Sequence, residues 1–234
     1  MLQKGFEFLL RGGWIMWPLF VCAILSVAVM IERTWVLRRQ EREADTASER
    51  VLHALRQGNA ENALTEARKS NGAVGKVLAA GLSRRSQGSE AVEQAMQAAG
   101  LRQLRVLNER LGWLDTIITM APLLGLLGTV TGMISAFQVV ATASGASAAP
   151  AITGGVAEAL IATATGLAIA VATLPVYNHL TEKVKELTND MEAAATETQS
   201  LLAGLPNVDA EAASQDGSAA FPEEAIRASA TATR

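Results

Sequence analysis

The chain has 234 residues, half of them hydrophobic and 18% charged, with 43 alanines, one cysteine (Cys22), two histidines and a net charge of −3. These numbers exclude a disulfide framework and a cysteine-built zinc site, and give no overall basic field that would point to nucleic acid. The charge content is well below the roughly 25% of soluble chains, which directs attention to the membrane.

The first predicted element is a membrane helix. Trp14 to Ile31, WIMWPLFVCAILSVAVMI, runs 18 residues without a charge, close to the length that crosses a hydrocarbon core. Trp14, Trp17 and Trp35 flank it as interfacial anchors, and Pro18 falls where a missing N–H costs little. A signal peptide is the rival reading, since Lys4 and Arg11 precede the run. No small-x-small cleavage pattern follows; Glu32, Arg33, Arg38 and Arg39 do, and read as stop-transfer. Cys22 is expected to be inert packing.

Residues 41–110 read as helices separated by Gly58-Asn59, Asn71-Gly72 and Gln87-Gly88-Ser89, with Ser89 as an N-cap and Glu90 and Glu93 in the first turns. A helical hairpin or small bundle is expected. His53 falls in this stretch as a surface residue. Leu104, Leu107, Leu111 and Leu114 follow a 3–4–3 spacing that runs straight into the next span and calls for a partner helix.

The second span, Leu111 to Ala143, carries one charge, Asp115, read as interfacial. The third, Ile152 to Leu180, carries one formal charge, Glu158. Both exceed the length needed to cross. After the third, Leu180, Val184, Leu187 and Met191 continue a 4–3–4 seam, and Asn178 is placed to snorkel or to bond across helices. Residues 205–234 have few large apolar residues and no sustained period, and read as a disordered tail. The boundaries expected are an N-terminal periplasmic segment 1–13, transmembrane helix 14–37, cytoplasmic helical region 38–110, transmembrane helix 111–141, periplasmic loop 142–154, transmembrane helix 155–179, cytoplasmic helix 180–204 and the tail 205–234. Orientation follows from charge: residues 32–110 hold 14 lysines and arginines and the 142–150 linker none. The positive-inside rule therefore puts the former and the C-terminus inside, the N-terminus and the linker outside.

Two spans are unusually rich in small and hydroxyl side chains. APLLGLLGTVTGMISAF holds Gly125, Gly128 and Gly132 near one side, after Pro122, which frees the carbonyl of Ile118. GGVAEALIATATGLAIAVATLP has Ala or Gly at about every second position, Gly166 among them. Such helices are built for close mutual approach. Glu158 is costly in lipid, about 2.5–3.5 kcal/mol on insertion scales, unless hydrated, protonated or paired. It reads as a pore-lining carboxylate, or as a residue near the outer interface. Thr129 and Thr163, with Thr119, Thr131, Thr165 and Thr173, supply hydroxyls. Each can back-bond to its own helix; together with Glu158 and the glycines they suggest a polar inner lining. Hydroxyls organise water but do not titrate near neutral pH, so proton conduction along them needs a carboxylate as well.

No GxxxxGK[ST], GxGxxG, HExxH or GxSxG motif is present. No catalytic residue, metal or cofactor is therefore expected, and the chain is not read as an enzyme. The segments FLLRGGWIMWPLF…IERTWVLRR, RLGWLDTIITMAPLLGLLGTVTGMISAF and GGVAEALIATATGLAIAVATLPVYN resemble the MotA/TolQ/ExbB proton-channel family, and within it the ExbB-type biopolymer transport subunits, over about residues 5–200. The resemblance implies an all-α membrane protein with three transmembrane helices, the second and third extended into a cytoplasmic helical bundle, forming an oligomer (a pentamer) around a central pore. It also implies a single-span ExbD- or TolR-like partner carrying a titrating aspartate, and coupling of proton motive force to a TonB-like protein in the bacterial inner membrane. Thr129, Thr163 and Glu158 match the pore residues of the family; Pro122, Gly125, Gly128, Gly132 and Gly166 are the packing positions. A TolQ-like role in envelope maintenance shares the three-span plan, and a non-conducting structural oligomer is the alternative from another class. MotA-type stators usually have four spans, which disfavours a flagellar role.

Overall fold

The computed structural model describes residues 13–142 and 148–204. The tail expected at 205–234 lies outside the described residues, as do the N-terminal segment before Gly13 and residues 143–147 of the expected loop. Among the described residues every regular element is helical. Helix α1 spans Met16–Arg56, α2 Ala60–Lys69, α3 Ala73–Leu82, a 3-10 turn Arg85–Gln87, α4 Ser89–Asn108, α5 Leu111–Thr142 and α6 Ala148–Ala203. Three of these, α1, α5 and α6, are long and apolar enough to cross a membrane.

The described residues group into two compact units, one drawn from Met1–Arg42 and Arg102–Asn189, the other from Glu43–Leu101 and Asp190–Arg234. In the first, Ile15, Met16 and Leu19 at the head of α1 pack with Ala121 of α5, with Phe20, Leu124 and Ile169 against them. Elsewhere the apolar surface is left outside: Trp17, Ile24, Ile31 and Trp35 on α1, Leu123, Leu126, Val130 and Phe137 on α5, Leu160 and Val171 on α6 are all exposed. A soluble protein rarely shows so much contiguous apolar surface, whereas lipid or a second copy accepts it without cost.

One polar pair is buried inside the three spans. The Ser26 and Thr173 hydroxyls lie 2.7 Å apart, and Thr173 also donates to the carbonyl of Ile169 at 2.7 Å. With its proton committed there, Thr173 accepts from Ser26. The pair joins α1 to α6, where no water competes.

The 41 residues of α1 and the 56 of α6 are continuous helices, so both run beyond their apolar stretches. Residues 148–154, expected in a loop, are helical. Leu107, Leu111 and Leu114 are buried as their spacing predicts, but the helix does not run straight through them. It breaks after Asn108, and Arg110 takes a left-handed φ of 64°. Side chains of α1 stabilise this break: Arg33, only 4% exposed, directs Nη1 to the carbonyl of Val106 at 3.5 Å and Nη2 to the Glu109 carboxylate at 3.8 Å, while Arg110 pairs with Glu32. Further along α1, Glu41 accepts from Lys183 at 2.7 Å, as does Glu186. These two carboxylates, Glu186 first, hold the Lys183 ammonium above its usual range, so this tie between α1 and α6 survives across neutral pH.

The second unit is a helical bundle. The breaks fall at the punctuation: Asn59 caps α2, its side chain accepting from the Asn62 amide at 2.9 Å, and Gly72 precedes α3. Ser89 is the first helical residue rather than the cap, because Gly88 ahead of it, at φ 99°, makes the turn. The core takes Val51 and Leu55 of α1, Leu64 of α2, Val74 and Leu78 of α3 and Met96 of α4. Thr198 of α6 is fully buried and its hydroxyl has no hydrogen-bond partner. An unmet buried hydroxyl costs about 1–3 kcal/mol, and valine keeps its shape. Thr198→Val is therefore expected to raise the thermal midpoint of the detergent-solubilised protein. A lower midpoint would show that the hydroxyl is bonded.

Candidate functional site

The site is built on α5 and α6, which run antiparallel with their small residues facing. A methyl added at Gly125 would lie 2.9 Å from the Thr163 Cα and 3.0 Å from the Ala162 carbonyl oxygen; at Gly132, 2.9 Å from the Ala159 Cβ and 3.0 Å from the Gly155 carbonyl oxygen. At Gly128 it would stand 2.5 Å from the Ala162 Cβ, and at Gly166 it would collide with the Ala121 carbonyl. The two backbones approach more closely than any side chain larger than hydrogen would allow. All four glycines make these contacts within one chain. Pro122 sits half-buried inside α5, next to the Ala121 carbonyl that meets Gly166.

The hydroxyls divide into two kinds. Thr119, Thr131, Thr165 and Thr173 donate to carbonyls four residues back in their own helices, those of Asp115, Leu127, Ile161 and Ile169. Thr129 donates three residues back, to Leu126 at 2.6 Å. Among these threonines Thr163 alone donates across: its Oγ1 bonds the Gly125 carbonyl of α5 at 2.8 Å, one turn before Thr129. The close approach at Gly125 makes that bond possible. Thr129 and Thr163 are both half-buried, and with their protons spent on carbonyls they offer lone pairs. Toward a water each is an acceptor.

Glu158 lies on α6, five residues before Thr163, half-buried. Its carboxylate packs against the backbone of Gly13 at the head of α1. Ala162, one turn further on, faces Gly128, with Ile15 close by. So the structure brings Thr163, Gly125, Gly128, Gly132 and Gly166 into one helix seam, and sets Glu158 alongside it, between Gly155 and Ala159, facing the head of α1. Asp115, Asn178 and His53 are exposed, and Cys22 is half-buried on α1.

Sequence reasoning missed Ser26, although a lone serine in the middle of an apolar run is a legible signal. It also missed Arg33 as a buried group and Gly13 altogether. Pro175 lies inside α6 as Pro122 lies inside α5.

Three helices of membrane-crossing length, two of them closely packed through small residues with one carboxylate beside their seam, define a multi-span membrane protein. The chain belongs to the MotA/TolQ/ExbB proton channel family, whose model matches residues 69–193. An ExbB-like biopolymer transport protein of Synechocystis is 35% identical over 173 residues, covering 73% of this chain and 68% of that one. An ExbB homolog of Methanothermobacter thermautotrophicus is 30% identical over 80% of this chain and 66% of its own. The Tol-Pal system protein TolQ of Haemophilus influenzae is 29% identical over 72% of this chain and 78% of its own.

Proposed function

We propose that this chain is the proton-channel subunit of an ExbB-type complex in a bacterial inner membrane, coupling proton motive force to a TonB-like transducer for import across the outer membrane. The observation that carries the reading is the crossing bond from Thr163 to the Gly125 carbonyl, which sets hydroxyl lone pairs along a helix pair in a family of proton channels. In this mechanism several copies, five by resemblance, surround the single-span helix of an ExbD- or TolR-like partner. The partner's aspartate takes and releases the proton. Thr129 and Thr163 accept hydrogen bonds from the waters that deliver it, and Glu158 keeps the path hydrated beside the seam. The exposed apolar faces of α5 and α6 supply the surfaces for neighbouring copies and lipid.

The test is co-purification with a short single-span protein from the neighbouring reading frame, followed by an energy-dependent uptake assay in cells lacking this chain. Co-purification and loss of uptake support the reading. The match to TolQ favours a second reading, envelope maintenance, and detergent sensitivity with uptake intact would select it. A stable complex that conducts nothing in either assay would leave the structural oligomer.

Orientation is a separate expected outcome. The bases of residues 32–110 predict that reporter fusions at Gln57 and Ala220 read cytoplasmic and one at Ser147 periplasmic. A cytoplasmic signal at Ser147 would contradict the arrangement.

A further inference from the structure

The turn that opens α1 does more than start a helix. Gly13 has a left-handed φ of 73°, and its carbonyl accepts from the Met16 amide at 3.2 Å. Left-handed backbone favours glycine by itself. A second constraint acts on the same residue. The place where its Cβ would stand is occupied by the Glu158 side chain: the carboxylate Oε1 overlaps it, Cδ lies 3.0 Å away and Cγ 3.4 Å. Gly88 shows the contrast, since its φ is 99° but a Cβ there would meet nothing within 4 Å. Gly88 answers to conformation alone; Gly13 answers to conformation and to the carboxylate.

The surroundings keep this contact in place. Ile15 is buried in the core at the head of α1, and both its Cγ2 and the Ala162 Cβ abut the same point of Gly128. Residues 13–15 are thus fixed against the face of α6 that carries Glu158 and Ala162. A glutamate has three side-chain torsions and no strong preference for one direction. Nothing in α6 alone selects where its charge stands.

We infer that Gly13 is a positioning residue for Glu158: the missing side chain at the head of α1 is the seat of the carboxylate, so the turn at residues 13–16 sets where this charge stands. The transport part of the test rests on the proton-channel reading; the cross-linking part does not.

The cross-linking arm uses the full chain in membranes with Cys22→Ala. Gly13→Cys combined with Glu158→Cys places the second sulfur near the present Cγ, close enough for a disulfide to close. Oxidation is expected to link most of the chain intramolecularly. Gly13→Cys with Leu160→Cys, a site on an exposed part of α6, is the control and is expected to stay reduced. No linkage above this control overturns the contact, whatever the protein transports.

The transport arm trades size across the contact. Gly13→Ala is expected to lower uptake about tenfold, because a displacement near 1 Å at a working group is felt strongly. Glu158→Asp, one methylene shorter, is expected to cost less and to restore most of the uptake when combined with Gly13→Ala. Backbone strain at residue 13 would be blind to that exchange, so absence of rescue overturns positioning. If Gly13→Ala fails to accumulate, Gly13→Asn, which tolerates left-handed backbone, carries the same exchange with Glu158→Asp. Wild-type protein inactive in uptake would sink the import reading and leave the cross-link to decide the seat.

Discussion

Gly125→Leu is expected to abolish accumulation of folded protein in the membrane, while Leu126→Ala, its neighbour, leaves it intact. A side chain at Gly125 meets backbone, the Thr163 Cα at 2.9 Å and the Ala162 carbonyl oxygen at 3.0 Å, and backbone cannot rotate aside. Overpacking costs about 1–3 kcal/mol where side chains can give way; here α5 and α6 must separate, breaking the Thr163 bond to the Gly125 carbonyl as well. Leu126 is 57% exposed, so its truncation is expected to stay within about 0.5 kcal/mol. The check is the amount of each variant resistant to trypsin in membranes and its thermal midpoint in detergent. Equal behaviour of the two would mean that the glycine seam does not hold the helices together. Gly166→Leu, against the Ala121 carbonyl, is expected to behave as Gly125→Leu does.

The second large effect is on transport. Thr129→Val and Thr163→Val keep helix and volume and delete only the hydroxyls. If each hydroxyl orients one water, its loss removes a hydrogen bond of about 1 kcal/mol, a factor of roughly five each and roughly thirty together. The amount of protein should hardly change, because the Gly125 carbonyl keeps its place in the α5 ladder. Thr165→Val, which deletes a hydroxyl of α6 outside the proposed path, is the control and should retain transport. Loss in all three variants would point to general damage to the helix pair. Glu158→Gln is expected to impair transport less than Glu158→Ala if hydration is its role, and equally if its charge is required.

Some of this was legible from residues alone. Lipid demands unbroken apolar runs, so α1, α5 and α6 announce themselves, and the Gly-Asn, Asn-Gly and Gln-Gly steps mark the breaks of the second unit. The small-residue pattern also signals that α5 and α6 approach closely. What sequence could not reveal depends on residues far apart along the chain. The break at Asn108 has no glycine or proline, and Leu107, Leu111 and Leu114 stay buried on either side of it. It persists because Arg33 and Glu32, more than 70 positions earlier, bind its carbonyl and its charges. Ser26 finds Thr173 across 147 positions. Thr163 looks like five other threonines until the partner helix supplies a carbonyl. Glu158 reads as a charge without a neighbour until the head of α1 is placed beside it.

Proton flux tests the central claim most directly. The chain, purified with its single-span partner and reconstituted in liposomes enclosing a pH-sensitive dye, is driven by an imposed potassium diffusion potential. The account predicts proton entry that requires both proteins and falls roughly thirtyfold in the Thr129→Val, Thr163→Val double variant at equal assembly. Flux undiminished in that variant would contradict the hydroxyl path, and a complete complex that passes no protons would contradict the channel itself.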